Sequence, residues 1–328
     1  MKVVITGGTG FIGVTLARRL LRIGKLTAPN GKTAPVDEIV LFDMSVPDSK
    51  PHGLDGRVRM VKGEISDQAT VRALIDGPDT SVFHLASVVS GGGEQDFDLA
   101  MRVNLTGNLN VLEAARGLGS CPRVVFASSI AVFGGSAMPK SVGDDTKQLP
   151  QTTYGATKAI GELLINDYSR KGYIDGRSAR LPTVIVRPGK PNKAASSFVS
   201  GVFREPLNGE ECVLPVETDA IMPLAGYGTV VEGFVRLHEV EARELGEDRA
   251  VNFPSLAVSV DDMIQALKRV AGNRKLGPIR VAPDPVITRI VATWPVASHF
   301  ERARKLGLPV DRDLDSIVKS YIEDYLPG

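Results

Sequence analysis

Short apolar runs alternate with amphipathic stretches through the first 189 residues of this chain. The run at residues 2–6 is β-branched and apolar, which is typical of a buried strand. Residues 11–23 then place Ile12, Leu16 and Leu20 on one face, and this spacing predicts an amphipathic helix. The same alternation predicts strands at 38–43, 59–62, 81–85, 123–127 and 181–187, helices at 97–118 and 154–170, and loops at 24–35 and 90–93. Strands that alternate with helices in this way predict an α/β protein with a doubly wound parallel sheet.

Three glycines occupy the predicted turn between the first strand and the first helix. Gly7 permits a tight turn, Gly10 lets the backbone approach a ligand, and Gly13 lets the helix pack close to the sheet. The free N–H groups at the start of the helix are suited to phosphate binding, since the helix dipole adds to their partial positive charge. This context predicts a dinucleotide site, to which we assign the turn residues Gly7, Thr9, Gly10, Phe11, Ile12 and Gly13.

An acidic residue, Asp43, ends the second long predicted strand, where dinucleotide-binding domains hold the adenosine ribose. Its carboxylate would accept hydrogen bonds from the ribose hydroxyls and repel a 2′-phosphate. The residues that follow are Met44, Ser45 and Val46, with no cation to bind such a phosphate. The sequence therefore predicts NAD as the cofactor in preference to NADP.

Composition excludes several classes of partner. The chain has 328 residues, of which 43% are hydrophobic and 23% charged, as in an ordinary globular enzyme. With 39 basic and 38 acidic residues there is no net field to attract nucleic acid or an anionic membrane. The two cysteines, Cys121 and Cys212, are far apart in sequence, so we expect reduced thiols and no metal site. We expect a cytoplasmic protein, because no apolar stretch approaches the roughly 20 residues of a membrane span.

The motifs resemble the extended branch of the short-chain dehydrogenase/reductase superfamily. The resemblance is carried by Gly7–Gly13 (GGTGFIG), Gly63–Asp67 (GEISD), His84–Ser87 (HLAS), Val103–Gly107 (VNLTG), Ser128–Gly134 (SSIAVFG) and Tyr154–Lys158 (YGATK). It implies a Rossmann-type sheet with a smaller C-terminal substrate-binding lobe. It further implies that the cofactor is bound by Glu64, Ile65, Leu85, Ala86, Ser87, Asn104, Tyr154, Lys158 and Pro188. Glu64 stands where the family usually has Asp.

The resemblance and the predicted elements together suggest how the chain is divided. We expect an NAD-binding domain at residues 1–189, to which elements at about 225–257 return. Residues 190–224 and 258–328 would form the substrate-binding lobe, with helices at 260–271, 298–306 and 314–325. Helices 97–118 and 154–170 are those that pair in dimers of the family, so the resemblance implies a homodimer.

Ser129, Tyr154 and Lys158 are the candidate catalytic residues. Tyr154 and Lys158 are four positions apart at a helix start and therefore lie on one face. A free tyrosine has a pKa of about 10, and a nearby ammonium together with the positive nicotinamide would lower this pKa. The phenolate would then take the proton of a substrate hydroxyl while hydride leaves the same carbon. Ser129, at the end of a strand, would donate a hydrogen bond to the same oxygen.

Residues 181–198 and 203–210 resemble a subgroup of this branch that oxidises the 2-hydroxyl of a small sugar acid with NAD. A carboxylate substrate calls for an arginine, a lysine or Ser/Asn donors, and the candidates are Ser90, Ser129, Asn192, Ser197 and Arg204. Two alternatives stay open. A nucleotide-sugar epimerase with tightly bound NAD would use the same three catalytic residues. A non-catalytic NAD-binding regulatory protein would share the fold, although such proteins commonly lose the Tyr or the Lys.

Overall fold

The fold is taken from a computed structural model, which describes residues 1–191 and 194–326. The strands are β1 (Lys2–Thr6), β2 (Lys25–Thr27), β3 (Thr33–Pro35), β4 (Glu38–Asp43), β5 (Val58–Lys62), β6 (Thr80–His84), β7 (Arg123–Ser129), β8 (Ser141–Val142), β9 (Asp175–Leu181), β10 (Thr183–Ile185), β11 (Cys212–Leu214), β12 (Ile221–Gly226), β13 (Ala250–Asn252), β14 (Leu256–Ser259), β15 (Ile279–Val281) and β16 (Ala297–Ser298).

The helices follow the same numbering in chain order. They are α1 (Phe11–Ile23), α2 (Gln68–Leu74), α3 (Ser90–Gln95), α4 (Phe97–Ala100), α5 (Gly107–Gly117), α6 (Thr153–Arg170), α7 (Ser197–Leu207), α8 (Tyr227–Glu239), α9 (Ala242–Leu245), α10 (Val260–Val270), α11 (Pro285–Val291), α12 (Glu301–Lys305) and α13 (Leu314–Tyr325). A π-helical segment, Met101–Thr106, joins α4 to α5, and a 3₁₀ turn, Ile130–Val132, follows β7.

The central sheet has seven strands in the order β13-β9-β7-β6-β1-β4-β5. Every pairing between neighbours in this sheet is parallel. Strand β1 lies between β6 and β4, and its residues Val3, Val4 and Ile5 are fully buried, as its apolar sequence predicts. The prediction of a doubly wound parallel α/β sheet is confirmed. The carboxyl ends of β1, β4, β6 and β7 meet at one edge, where sheets of this kind bind their ligands.

Three local predictions were wrong. Residues 24–35 are not a simple loop, because β2 and β3 pair there as an antiparallel hairpin. The glycine-rich stretch after Val89 forms helix α3. The strand predicted at 181–187 is split: β9 ends at Leu181 in the central sheet, and β10 belongs to a separate three-stranded sheet with β12 and β14. Strand β9 was missed because it carries charged residues, and much of what compensates them lies elsewhere in the chain, on α6 and at the end of α8.

A second apolar cluster lies outside the central sheet. It includes the buried side chains of Phe203 on α7, Met263 on α10 and Ile317 on α13. Strand β13 pairs with β9, so the chain returns to the central sheet after α8. The division into a domain at 1–189 and a lobe at 190–224 and 258–328 stays a prediction. Within residues 1–191 and 194–326, no helix is both long and apolar enough to cross a membrane.

Candidate active site

A cleft of about 530 Å³ opens at the carboxyl edge of the central sheet. Its walls come from the turn between β1 and α1, the ends of β4 and β6, and the chain just after β10. The lining residues that the sequence predicts for the cofactor are Gly7, Gly10, Phe11, Ile12, Gly13, Asp43, Ile65, Leu85, Ala86 and Ser87. The structure therefore brings ten of the predicted residues to one cavity.

The glycine turn has a shape that fits a phosphate-bearing ligand. Gly7 has φ +66°, a conformation that L side chains rarely adopt. A β-carbon on Gly13 would lie 2.5 Å from the carbonyl oxygen of Gly8, so the packing of α1 requires glycine there. At Gly10 the one described atom within 4 Å of an added β-carbon is the carbonyl oxygen of Gly7, at 3.2 Å. The space above Gly10 therefore faces the cleft, beside the first N–H groups of α1.

Asp43 lies at the end of β4 and forms part of the cleft wall. One carboxylate oxygen accepts a hydrogen bond from the Thr9 backbone N–H at 3.3 Å, and the other accepts from the Ser45 N–H at 3.3 Å. These bonds fix the carboxylate beside the glycine turn and leave lone pairs that can accept ribose hydroxyls. Thr9 itself does not line the cavity, and it contributes by positioning Asp43.

Asn104 connects the cleft wall to helix α6 from within the π-helical segment. Its side-chain oxygen accepts from the Val88 N–H at 2.7 Å, and its amide nitrogen donates to the hydroxyl of Thr157 at 3.2 Å. Thr157 in turn donates to the backbone carbonyl of Tyr154 at 2.9 Å. The side chain of Asn104 is 4% exposed, so its predicted place in the site is structural support and not an open ligand surface.

Ser129 and Tyr154 are brought together by a close approach of backbones. A β-carbon on Gly155 would lie 2.1 Å from the carbonyl oxygen of Ala131, so only glycine lets the start of α6 pack against the turn after β7. Ser129 accepts a hydrogen bond from the Ala131 N–H at 3.1 Å, which orients its hydroxyl. The Ser129 hydroxyl is close enough to the Tyr154 phenol to lower its pKa, although burial raises this pKa by more.

Lys158 lies under Tyr154, one helical turn further along α6. Its ammonium donates to the carbonyl oxygen of Ala127 at 2.6 Å and lies 5.4 Å from the centre of the Tyr154 ring. It also lies 4.8 Å from the ring of Phe126, which favours a cation at that face. The residue is 3% exposed, and burial lowers the pKa of Lys158 to about 7, against the opposing charge of Glu162.

The pKa of Tyr154 in the structure differs from the expectation for the loaded enzyme. Burial raises this pKa above its ordinary value, and the hydrogen bond with Ser129 only partly offsets the effect. The Lys158 ammonium is aimed at Ala127 and not at the phenol oxygen. The protein alone therefore keeps Tyr154 protonated at neutral pH.

A buried ion pair behind Lys158 was missed from the sequence. Glu162 on α6 and Arg180 on β9 are 2% and 3% exposed, and the guanidinium donates to both carboxylate oxygens at 2.8–3.1 Å. Ser128 and Gln148 also donate to the Glu162 carboxylate. The spacing of Glu162, four positions after Lys158, was the available signal, because it places both residues on one helix face.

Several predicted ligand residues are not among those that line the cleft, and Tyr154 and Lys158 belong to this group. Glu64 is exposed and Pro188 is half-buried, and neither lines the cavity. Ser90 begins α3, a helix tied to α6 because the Glu94 carboxylate accepts from the Thr153 N–H at 2.9 Å. Ser197 begins α7. Asn192 lies outside the described residues.

Arg204 is buried and does not line the cleft, so its predicted contact with the substrate stays a prediction. The residue is 4% exposed, and its guanidinium donates to the carbonyl oxygen of Arg187 at 3.0 Å and to the carboxylate of Glu205. The sequence also did not predict the cleft residues Phe42, Met44, Gly63, Val88, Val89, Leu99, Val103, Val184 and Arg187. Most of these are apolar, and apolar residues carry no sequence signal that separates a cleft wall from a core.

Comparison with known proteins finds one family model and relatives that cover nearly the whole chain. Residues 3–252 match the model of the NAD dependent epimerase/dehydratase family. The chain is 47% identical to a D-erythronate dehydrogenase of Cupriavidus necator over 99% of this chain and 98% of the relative. It is 41% identical to a D-erythronate dehydrogenase of Haemophilus influenzae, over 98% of this chain and 99% of the relative. The crystal structure of a nucleoside-diphosphate-sugar epimerase from Agrobacterium tumefaciens matches with a TM-score of 0.90 and 38% identity, over 99% of this chain and 94% of that one.

Proposed function

This chain belongs to the NAD dependent epimerase/dehydratase family, and from that premise we propose that it oxidises the 2-hydroxyl of D-erythronate to give 2-dehydro-D-erythronate. It is an NAD-dependent oxidoreductase, as the family and its named dehydrogenase relatives indicate. The observation that carries the finer proposal is the close packing of Gly155 against Ala131, which brings the start of α6, with Tyr154, to the end of β7, with Ser129, at the carboxyl edge of the sheet. The names of the relatives at 47% and 41% identity support D-erythronate as the substrate.

The proposed roles of the three residues follow from their surroundings. The Tyr154 phenolate takes the proton of the substrate hydroxyl as the carbon–hydrogen bond of the same carbon breaks and the carbonyl forms. Ser129 donates a hydrogen bond to that oxygen, because its hydroxyl lies beside the phenol. Lys158 keeps a positive charge near the phenolate when it is protonated, which favours the ionised tyrosine.

NAD⁺, when bound, supplies the acceptor of the hydride. We propose that the glycine turn and the first N–H groups of α1 hold its phosphates, and that Asp43 holds the adenosine ribose. Ile65, Leu85 and Ala86 would pack against the cofactor, since they line the same cleft. The carboxylate at Asp43 supports NAD over NADP, because a 2′-phosphate beside it would be repelled.

The experiment follows NADH absorbance with the purified protein, NAD⁺ and a panel of four- to six-carbon sugar acids, with UDP-glucose and UDP-galactose as controls. We expect D-erythronate to be oxidised with one NADH per molecule of product. Oxidation of another sugar acid would keep the mechanism and change the substrate. Interconversion of the UDP-sugars without net NADH would instead assign the chain to the epimerase function, which the name of the A. tumefaciens structure also allows.

We propose a homodimer located in the cytoplasm. Phe97 on α4, and Ile160 and Leu163 on α6, are 59%, 38% and 64% exposed, which is unusual for large apolar side chains on neighbouring helices. A two-fold contact through these helices would cover them. Sedimentation of the wild type should give the mass of two chains, and Leu163→Glu should give one.

A further inference from the structure

Arg187 presents the one guanidinium that lines the cleft among the described residues. It follows β10, and its side chain makes no hydrogen bond or ion pair within residues 1–191 and 194–326. The backbone is fixed, since the Arg187 N–H donates to the hydroxyl of Ser200 at 3.0 Å and its carbonyl accepts from Arg204 at 3.0 Å. Two backbone hydrogen bonds thus hold an exposed cation at the cleft wall, and among the described residues it has no partner.

The neighbouring cation cannot perform this role. Arg204 is buried and compensated by the carboxylate of Glu205, and it holds Arg187 in place through the carbonyl bond. Arg204 therefore acts as a support, whereas the Arg187 guanidinium donates to no residue that the structure describes. An open guanidinium matches two oxygens of a carboxylate or a phosphate with a pair of parallel hydrogen bonds.

We propose that Arg187 binds the anionic group of the ligand in this cleft, and that this group is the substrate carboxylate. The inference deepens the proposed function and rests on it. Carboxylate and phosphate share the necessary chemistry, but the glycine turn at the start of α1 already offers N–H donors for the cofactor phosphates. Arg187 lines the same cleft from a different segment, the chain just after β10, and is therefore a donor additional to those of the turn.

The test compares Arg187→Gln and Arg187→Lys with the wild type, and Arg170→Gln serves as the matched control. Arg170 is an exposed arginine at the end of α6, paired with Asp167. We expect Arg187→Gln to raise the KM for D-erythronate about 10- to 100-fold, as expected for a lost charge-assisted hydrogen-bond pair, with a smaller change in kcat. Arg187→Lys should retain part of the affinity as a point charge, and Arg170→Gln should behave as the wild type.

Two binding measurements, neither of which needs catalysis, decide whether Arg187 binds the substrate carboxylate or the cofactor phosphates. NADH affinity, measured by its fluorescence, should be the same in wild type and Arg187→Gln; a loss of 10-fold or more would assign Arg187 to the cofactor phosphates and overturn the inference. Calorimetric binding of D-erythronate to the NADH-loaded protein should be lost in Arg187→Gln and kept in Arg170→Gln.

The outcomes also distinguish the failure of this inference from that of the proposed function. An equal KM in wild type and Arg187→Gln would overturn the role of Arg187 alone. If the wild type oxidised no D-erythronate, the proposed function would fail, and the calorimetric comparison would still decide on Arg187. Equal D-erythronate binding by the two proteins, or none by the wild type, would overturn the inference.

Discussion

Replacing Lys158 by methionine should stabilise the protein in a manner that depends on pH. Burial lowers the pKa of Lys158 to about 7, from an ordinary value of 10.5. Below pH 7 the amine is charged in both the folded and the unfolded chain, and folding bears the full cost of burying that charge. With a difference of about 3.5 pKa units, this cost is about 5 kcal/mol. Above pH 10.5 the amine is neutral in both states and the cost vanishes.

The sign of the pH dependence follows from the protons bound. Between about pH 7 and pH 10.5 the unfolded chain holds a proton on Lys158 that the folded chain does not. The free energy of unfolding of the wild type must therefore rise with pH by about 1.4 kcal/mol per unit, relative to a variant without the amine. Lys158→Met also loses the hydrogen bond to Ala127 and the contact with Phe126. These losses change the difference in free energy of unfolding between the two proteins by about the same amount at every pH.

The assay is urea unfolding of wild type and Lys158→Met at pH 7.5 and 9.5 without cofactor, because a ligand that binds the folded state adds its own stabilisation. From pH 7.5 to pH 9.5, the free energy of unfolding of the wild type should rise by about 3 kcal/mol relative to that of Lys158→Met. Lys171→Met, which removes an exposed lysine just after α6, should show no such shift. A difference for Lys158→Met that stays constant within 1 kcal/mol would refute the assignment of a buried amine with a lowered pKa.

Three further predictions concern the cofactor and the base. Tyr154→Phe should lower kcat by about 10²–10⁴-fold with an unchanged NADH affinity. The kcat/KM of the wild type should fall toward acid pH, where the phenolate is lost, and the residual kcat/KM of Tyr154→Phe should show no such fall. Gly10→Ala should unfold like the wild type in urea yet bind NADH at least 10-fold more weakly, whereas Gly13→Ala should lose about 1–3 kcal/mol of stability because its β-carbon meets Gly8. Asp43→Ala should lower kcat/KM for NAD⁺ about 10-fold or more and leave that for NADP⁺ unchanged or improved, as steady-state kinetics with both cofactors would reveal.

The cofactor turn could be predicted from the sequence because its determinants are local. Gly7, Gly10 and Gly13 lie within seven residues; the backbone conformation requires Gly7, a contact inside the same turn requires Gly13, and Gly10 leaves open space beside the cleft. Asp43 was predictable for a similar reason, since it ends an apolar strand that the pattern already defines. Tyr154 was recognisable from its spacing to Lys158, although the clash that demands glycine between them involves a distant backbone.

Strand β9 and the anion-binding side chain could not be predicted in the same way. Because β9 contains Arg177 and Arg180, its sequence predicts an exposed polar segment. In the structure these two residues are only 0% and 3% exposed. Arg177 pairs with Asp175 and donates to three carbonyls at the end of α8, although its Nε has no partner among the described residues, and Arg180 pairs with Glu162. A hydropathy pattern does not show whether the charge of a residue will be compensated by residues remote in the sequence. For the same reason the sequence could not tell that Arg204 is buried and paired while Arg187 is open.

The missed Glu162–Arg180 pair lies close to Lys158, whose pKa is lowered mainly by burial. Glu162 lies one helical turn from Lys158, and its negative charge opposes the loss of the lysine proton. Because Arg180 donates to both oxygens of this carboxylate, much of its charge is already neutralised. Desolvation therefore outweighs the attraction, and the pKa of Lys158 falls to about 7. Burial thus leaves beside the Tyr154 ring an amine with a pKa near neutrality, and a change of charge nearby would decide whether this amine is protonated.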